Sequence, residues 1–122
     1  MGINLKIITF ITLMFGITAL QAQLSSLDSL ELSLKLHQNE DTTKVILLND
    51  VAYNYYKKDI DKTYTYANKA YQLADKLNYV KGKAQALKIK GIYFDIKSDY
   101  AKAIEYYQQS LHLFAQLNDL EG

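Results

Sequence analysis

Apolar residues recur at helical spacing along most of the chain. In the segment 24–38, Leu27, Leu30 and Leu34 follow the i, i+3, i+7 spacing of one helix face, and Leu32 and Leu36 widen the stripe. The polar stretch NEDTT then ends the pattern and offers carboxylate and hydroxyl N-caps to a following helix. This spacing predicts a leading amphipathic helix.

The same reasoning predicts four further helices, over residues 44–58, 60–77, 81–97 and 100–117. Asp59 and Asp99 are placed to cap the helices that follow them, and Asn78 suits a left-handed helix end. The expected apolar sides are Leu48, Val51, Ala52 and Tyr55; Ala67, Ala70, Tyr71, Ala74 and Leu77; Leu87, Gly91 and Phe94; and Ala103, Tyr107, Ser110, Leu111 and Phe114. The chain contains no proline, which favours long uninterrupted helices.

The helices repeat. A shift of forty residues superposes KDIDKTYTYANKAYQLADKLNY on SDYAKAIEYYQQSLHLFAQLND, and a shift of 39 places Ala52 on Gly91 and Tyr55 on Phe94. A fixed period of this size is typical of a helical solenoid. The predicted fold class is therefore all-α, an α-solenoid of antiparallel helix hairpins.

These residues resemble the tetratricopeptide repeat family, in its long, 39–40-residue variant. The second copy carries the five signature positions as Gly91, Phe94, Ala103, Tyr107 and Ser110. The first copy, with a turn one residue shorter and no second aromatic residue, carries them as Ala52, Tyr55, Thr63, Ala67 and Ala70. Small residues on one helix admit large ones on its partner, so we expect Gly91 to receive Tyr107 and Ala103 to receive Phe94.

The pattern divides the chain into five parts. We expect a targeting segment at 1–22, the leading helix and its turn at 23–41, a degenerate first repeat at 43–79 and a second repeat at 80–118. Residues 119–122 begin a third, truncated repeat, so the chain is interpreted as the front part of a longer protein.

The N-terminus has the pattern of a secretory signal. Lys6 precedes an apolar run over residues 7–20, which is shorter than the roughly 20 residues that span a bilayer, and cleavage is expected between Ala22 and Gln23. An uncleaved anchor or a buried first helix are the alternatives. We expect an exported, periplasmic or otherwise extracytoplasmic protein that meets a membrane only through this segment or a downstream region.

The resemblance implies a groove lined by the first helix of each repeat. Its outward positions are Asn49, Tyr53 and Tyr56 in the first copy and Lys88, Ile92 and Asp95 in the second. Such residues would bind a protein or peptide partner; alternatively, Tyr53 and Ile92 pack against a neighbouring repeat. The chain also resembles the exported sensor regions of bacterial histidine kinases and regulators with these repeats, so a sensor segment for signal transduction is the alternative function.

Composition argues against other classes of function. All 14 basic residues are lysines, balanced by 13 acids, and such a neutral chain is a poor ligand for nucleic acid. His37 and His112 are too far apart in sequence to suggest a metal site, the carboxylates are scattered, and there is no cysteine or phosphate loop. We therefore expect no enzyme activity, catalytic residue, cofactor or metal.

Two further groups of residues are given structural roles. Lys83, Lys90 and Lys97 recur every seven residues and are expected on a solvated face. The tyrosines Tyr64, Tyr66, Tyr100 and Tyr106 are expected to pack, with their hydroxyls at the solvent edge.

Overall fold

The computed structural model describes residues 4–23 and 25–121, with side chains at 4–14 and 25–118. It contains six helices: α1 (Leu5–Gln23), α2 (Ser26–Leu36), α3 (Thr42–Tyr55), α4 (Ile60–Lys76), α5 (Val80–Ile96) and α6 (Tyr100–Glu121). No strand occurs in these residues, so the expected all-α fold is confirmed.

Carboxylate and hydroxyl caps fix where four helices begin. Ser25 and Asp28 form a reciprocal capping box at the start of α2, with both backbone bonds at 3.1 Å. Asp41, Asp59 and Asp99 each accept a hydrogen bond from the backbone N–H three residues later, at 3.0, 3.1 and 3.2 Å. All three aspartates were expected as caps from the sequence.

The ends of α4 and α5 are built alike. Asn78 (φ 54°) and Ser98 (φ 62°) adopt the left-handed conformation, and the next backbone N–H donates to the carbonyl five residues earlier, at 2.8 and 2.9 Å. Asn78 was expected in this role. Ser98 was not, because serine has no particular preference for positive φ.

Each helix from α2 onward packs on its neighbours in sequence, and α3 also packs on α5. The hairpins α3/α4 and α5/α6 thus stack side by side as a helical repeat. Small side chains dominate the buried contacts, which lets the helices approach closely. Among the fully buried residues are Val45, Val51, Ala52, Ala67, Ala70, Ala74, Ala84 and Ala86.

The second hairpin is held by a glycine against a tyrosine. A Cβ built on Gly91 would lie 2.6 Å from Cδ1 of Tyr107, so only glycine leaves room for this ring. The expected Gly91–Tyr107 pairing is confirmed. The Phe94 ring lies parallel to that of Tyr106, with centroids 5.3 Å apart, and Ala103 is buried.

Several residues placed on apolar sides are exposed, so that part of the prediction was wrong. Leu32 and Leu36 are 49% and 70% exposed, because α2 contacts no described helix other than α3 and buries a narrow stripe around Leu27. Leu111 is 70% exposed, and Tyr100, which was expected to pack, is 61% exposed, because α5 is the only described helix in contact with α6.

Helix α1 contacts no other helix within the described residues. Its side chains from Leu5 to Met14 are exposed, although most are apolar. Of the helices in residues 4–23 and 25–121, none is long and apolar enough to cross a membrane. Leu24 and Gly122, at the expected start of the leading helix and end of the third repeat, lie outside the described residues.

Candidate partner-binding face

The first helices of the two hairpins each carry a stripe of exposed and half-buried side chains. On α3 it consists of Ile46, Asp50 and Tyr53, spaced i, i+4 and i+7. On α5 the stripe continues through nearly four turns and consists of Lys81, Gln85, Lys88, Ile92 and Asp95. We call these eight residues the inner face.

The two stripes belong to one surface. Because α3 and α5 pack directly on each other, their exposed sides lie next to each other. Ile46 and Asp50 share a depression of about 150 Å³ with Lys81 and Gln85, and Phe114 of α6 also lines it. The inner face therefore runs continuously across both hairpins.

Most residues expected in the groove do lie on or beside this face. Tyr53 is 46% exposed, Lys88 and Asp95 are exposed, and Ile92 is half-buried. Tyr56 is half-buried at the edge, with its ring centroid 5.3 Å from that of Tyr53. The alternative, in which a neighbouring repeat covers Tyr53, does not hold among the described helices.

Asn49 is buried, so its expected outward position was wrong, although it lines the depression shared by Ile46 and Lys81. It is only 4% exposed, and its Nδ2 donates to the carbonyl of Gly82 at 3.1 Å. The reason is that α5 covers this side of α3. Lys88 occupies the equivalent position on α5 and is exposed, because no described helix packs there.

Gly82 explains how α5 comes close enough to bury Asn49. A Cβ on Gly82 would lie 2.5 Å from Cγ1 of Val45 and from Cδ1 of Tyr79. The missing side chain therefore lets the first turn of α5 rest against α3.

Sequence reasoning missed four members of the face: Ile46, Asp50, Lys81 and Gln85. Counting back seven residues from Tyr53 and Lys88 reaches Ile46 and Lys81, so helical spacing alone could have found them. Asp50 is partly shielded from water, and this partial burial raises its pKa above the ordinary value.

The charges of the face are balanced. Two carboxylates, Asp50 and Asp95, stand with two ammonium groups, Lys81 and Lys88. The face also offers an aromatic ring, two isoleucines and the amide of Gln85, which suits main-chain and apolar contacts of a peptide.

Behind the inner face, α5 carries a buried lysine. Lys90 is 7% exposed, so the expected solvated position was wrong. Its Nζ lies 4.9, 5.1 and 5.5 Å from the ring centroids of Tyr106, Tyr71 and Tyr64 and donates to Oδ1 of Asn68 at 3.3 Å. Burial lowers the pKa of Lys90.

The other two lysines of this series behave differently. Lys83 is half-buried and pairs with Asp75 at 2.6 Å, whereas Lys97 is exposed and lies 3.7 Å from Asp61. The seven-residue spacing predicted the same surroundings for Lys83, Lys90 and Lys97. Helices α4 and α6, however, cover only part of that side of α5, so the three lysines differ in burial.

The two histidines lie in separate parts of the structure and do not form a metal site together. His37 bonds to Asp41 at 2.7 Å and His112 contacts Gln116 at 3.2 Å. Within the described part of the chain, no cluster of three His, Cys, Asp or Glu side chains is arranged to hold a metal ion.

Comparison with protein-family models, with curated proteins and with solved structures returns no match for this chain.

Proposed function

We propose that this chain is an exported tetratricopeptide-type scaffold that binds a protein or peptide partner on its inner face. The observation that carries the proposal is the continuity of this exposed surface across two stacked hairpins. Repeat arrays use such extended surfaces for recognition, because each hairpin adds side chains in a fixed register.

The side chains suggest how a peptide would be held. Tyr53 and Ile92 supply apolar contacts, and an aromatic ring provides a large contact area at small entropic cost. Gln85, Asp50 and Lys88 supply donors and acceptors for a peptide main chain. The balanced charge gives little long-range attraction, so we expect affinity to depend weakly on salt.

Site-specific photo-crosslinking tests this proposal. Benzoylphenylalanine replaces Tyr53 on the inner face or, as the matched control, the exposed Tyr100 on α6. In cells of the source organism, we expect a discrete crosslinked product from position 53 that position 100 does not give. Equal labelling from the two positions would refute recognition by this face.

Substitutions and protein processing provide separate tests. Tyr53→Ala with Ile92→Ala should abolish the crosslink formed from a probe at Gln85, while helicity stays unchanged.

Export predicts a mature chain beginning at Gln23, measured as intact mass in the extracytoplasmic fraction. An intracellular chain that retains residues 1–22 would contradict export without affecting the binding proposal.

A further inference from the structure

A second concave surface lies on the other side of α3. A cleft of about 700 Å³ opens between α2 and α4, within the size range of small-molecule sites. Lys44 and Leu48 line it from α3, and they lie roughly half a turn away from Ile46 and Asp50. The cleft is therefore separate from the inner face and independent of the proposed partner binding.

The floor of the cleft is apolar. Leu34 of α2, Leu48 of α3 and Leu73 of α4 line it together with the ring of Tyr66. Leu34, Tyr66, Leu48 and Leu73 all belong to or pack against one hydrophobic cluster. A hydrocarbon chain placed here would rest on the outer surface of the core.

The carboxylates in the wall already have partners. Glu31 accepts a hydrogen bond from the hydroxyl of Tyr55, and Glu40 forms an ion pair with Lys44. The tyrosine hydroxyl leaves the charge of Glu31 in place, and Lys76 also acts on Glu40, but the four lysines that line the cleft still outnumber its two carboxylates.

Three other lysines surround the cleft without such partners. Lys35 comes from α2, and Lys69 and Lys76 come from α4. Within the described part of the chain, none of the three forms an ion pair with a carboxylate; the Nζ of Lys69 lies 5.4 Å from the ring centroid of Tyr66. The cleft therefore combines an apolar floor with a surplus of positive charge at its rim.

We propose that this cleft binds a small anionic amphiphile, specifically a long-chain carboxylate. Its hydrocarbon chain lies on Leu34, Leu48 and Leu73, and its head group meets Lys69 and Lys76. The wall that α2 contributes has 11 residues and is about 16 Å long, so it flanks a short ligand fully, whereas a longer peptide helix would continue past its end.

The probe is a dansyl-labelled undecanoic acid, whose fluorescence rises in an apolar site, titrated into the full chain. Dodecanoate should displace the probe, dodecanol should compete much more weakly, and acetate should not compete. Lys69→Gln with Lys76→Gln should weaken probe binding about three- to tenfold at low salt. The matched control makes the same charge change on the inner face, with Lys81→Gln and Lys88→Gln, and should leave affinity unchanged.

A second pair of variants tests the cavity itself. Gln72 is exposed and lines the cleft, so Gln72→Trp should fill it and reduce probe binding, whereas Gln109→Trp on α6 should not. Equal affinity in the Lys69/Lys76 and Lys81/Lys88 variants, or unchanged binding in Gln72→Trp, overturns the proposal. Stronger displacement by an acidic helical peptide than by dodecanoate also overturns it, in favour of a polypeptide occupant.

Discussion

Replacing Gly91 by alanine should destabilise the second hairpin, because the added methyl group meets the ring of Tyr107. The new Cβ would lie 2.6 Å from Cδ1 and Cε1 and 3.1 Å from Cζ, so the ring must retreat by about 0.8 Å to regain ordinary contact. Overpacking of this kind costs about 1–3 kcal/mol, and the better helix propensity of alanine offsets about 1 kcal/mol.

The first hairpin, in which small residues occupy both positions, suggests the control, which is to remove the ring of Tyr107. There, Ala52 and Ala67 occupy the positions equivalent to Gly91 and Tyr107, and both are fully buried. In a Tyr107→Ala background the clash is absent, so Gly91→Ala should now stabilise the protein by about 1 kcal/mol. The effect of one substitution should thus differ between backgrounds by about 1–3 kcal/mol.

Thermal unfolding followed by far-ultraviolet circular dichroism measures the four variants of this cycle. A change of 1 kcal/mol corresponds to about 4–8 °C in the thermal midpoint of a domain of this size, so it is readily detected. The same effect of Gly91→Ala in both backgrounds would refute the argument, since the ring of Tyr107 would then not limit the space at Gly91.

Three further predictions concern buried polar groups. Asn49→Ala should lower the free energy of unfolding by about 1–3 kcal/mol, because it removes the hydrogen bond to the Gly82 carbonyl. Lys88→Ala, at the equivalent exposed position, should change it by less than about 0.5 kcal/mol. Equal effects of the two substitutions in urea unfolding would contradict the burial of Asn49. The hydrogen bond from Tyr55 to Glu31 raises the pKa of Tyr55 to about 12, so the folded state holds the hydroxyl proton more tightly than the unfolded chain. The stability that this bond supplies is therefore complete below pH 10 and is lost as the pH rises through 12. Tyr55→Phe should lower the free energy of unfolding by about 1 kcal/mol at neutral pH and should remove this loss at high pH. Burial lowers the pKa of Lys90 below its ordinary 10.5, so the unfolded chain binds this proton more tightly than the folded state. The contribution of Lys90 to stability therefore rises with pH towards 10.5, and Lys90→Met should abolish that rise. The same dependence of unfolding free energy on pH in the variant and the unaltered protein would contradict this prediction.

The helices and their caps could be predicted well because both depend on local sequence. Apolar spacing located every helix after residue 24 to within a few residues, and aspartate before a helix identified three N-caps. The pairing of Gly91 with Tyr107 followed from the repeat, since small and large positions alternate between the helices of a hairpin.

The environment of individual side chains could be predicted less well, because it depends on which helices cover a given side. Asn49 and Lys88 are equivalent by the repeat, yet one is buried and the other exposed, because α5 lies over α3 and no described helix lies over α5. Lys90 occupies the position of the buried Val51, and its tyrosine surroundings come from two different helices that spacing within α5 cannot reveal.

The cleft between α2 and α4 could not be predicted from the sequence for a related reason. It exists because α2 is short and, within the part of the chain that the structure describes, packs against α3 and not against α4. Apolar periodicity identifies the residues that become buried, but it does not report the distance between two helices that both rest on a third.

The stacking of each helix on its neighbours in sequence also has a kinetic consequence. Most contacts between helices join helices that are neighbours in sequence, and of the described helices only α3 and α5 pack across an intervening helix, so the loop-closure entropy of forming them is small. Helical proteins with such local contacts fold in microseconds to milliseconds. The stacked hairpins should therefore form quickly. Among α2 to α6, we expect α2 and α6 to open first in amide hydrogen exchange, because each contacts a single other helix of the described residues.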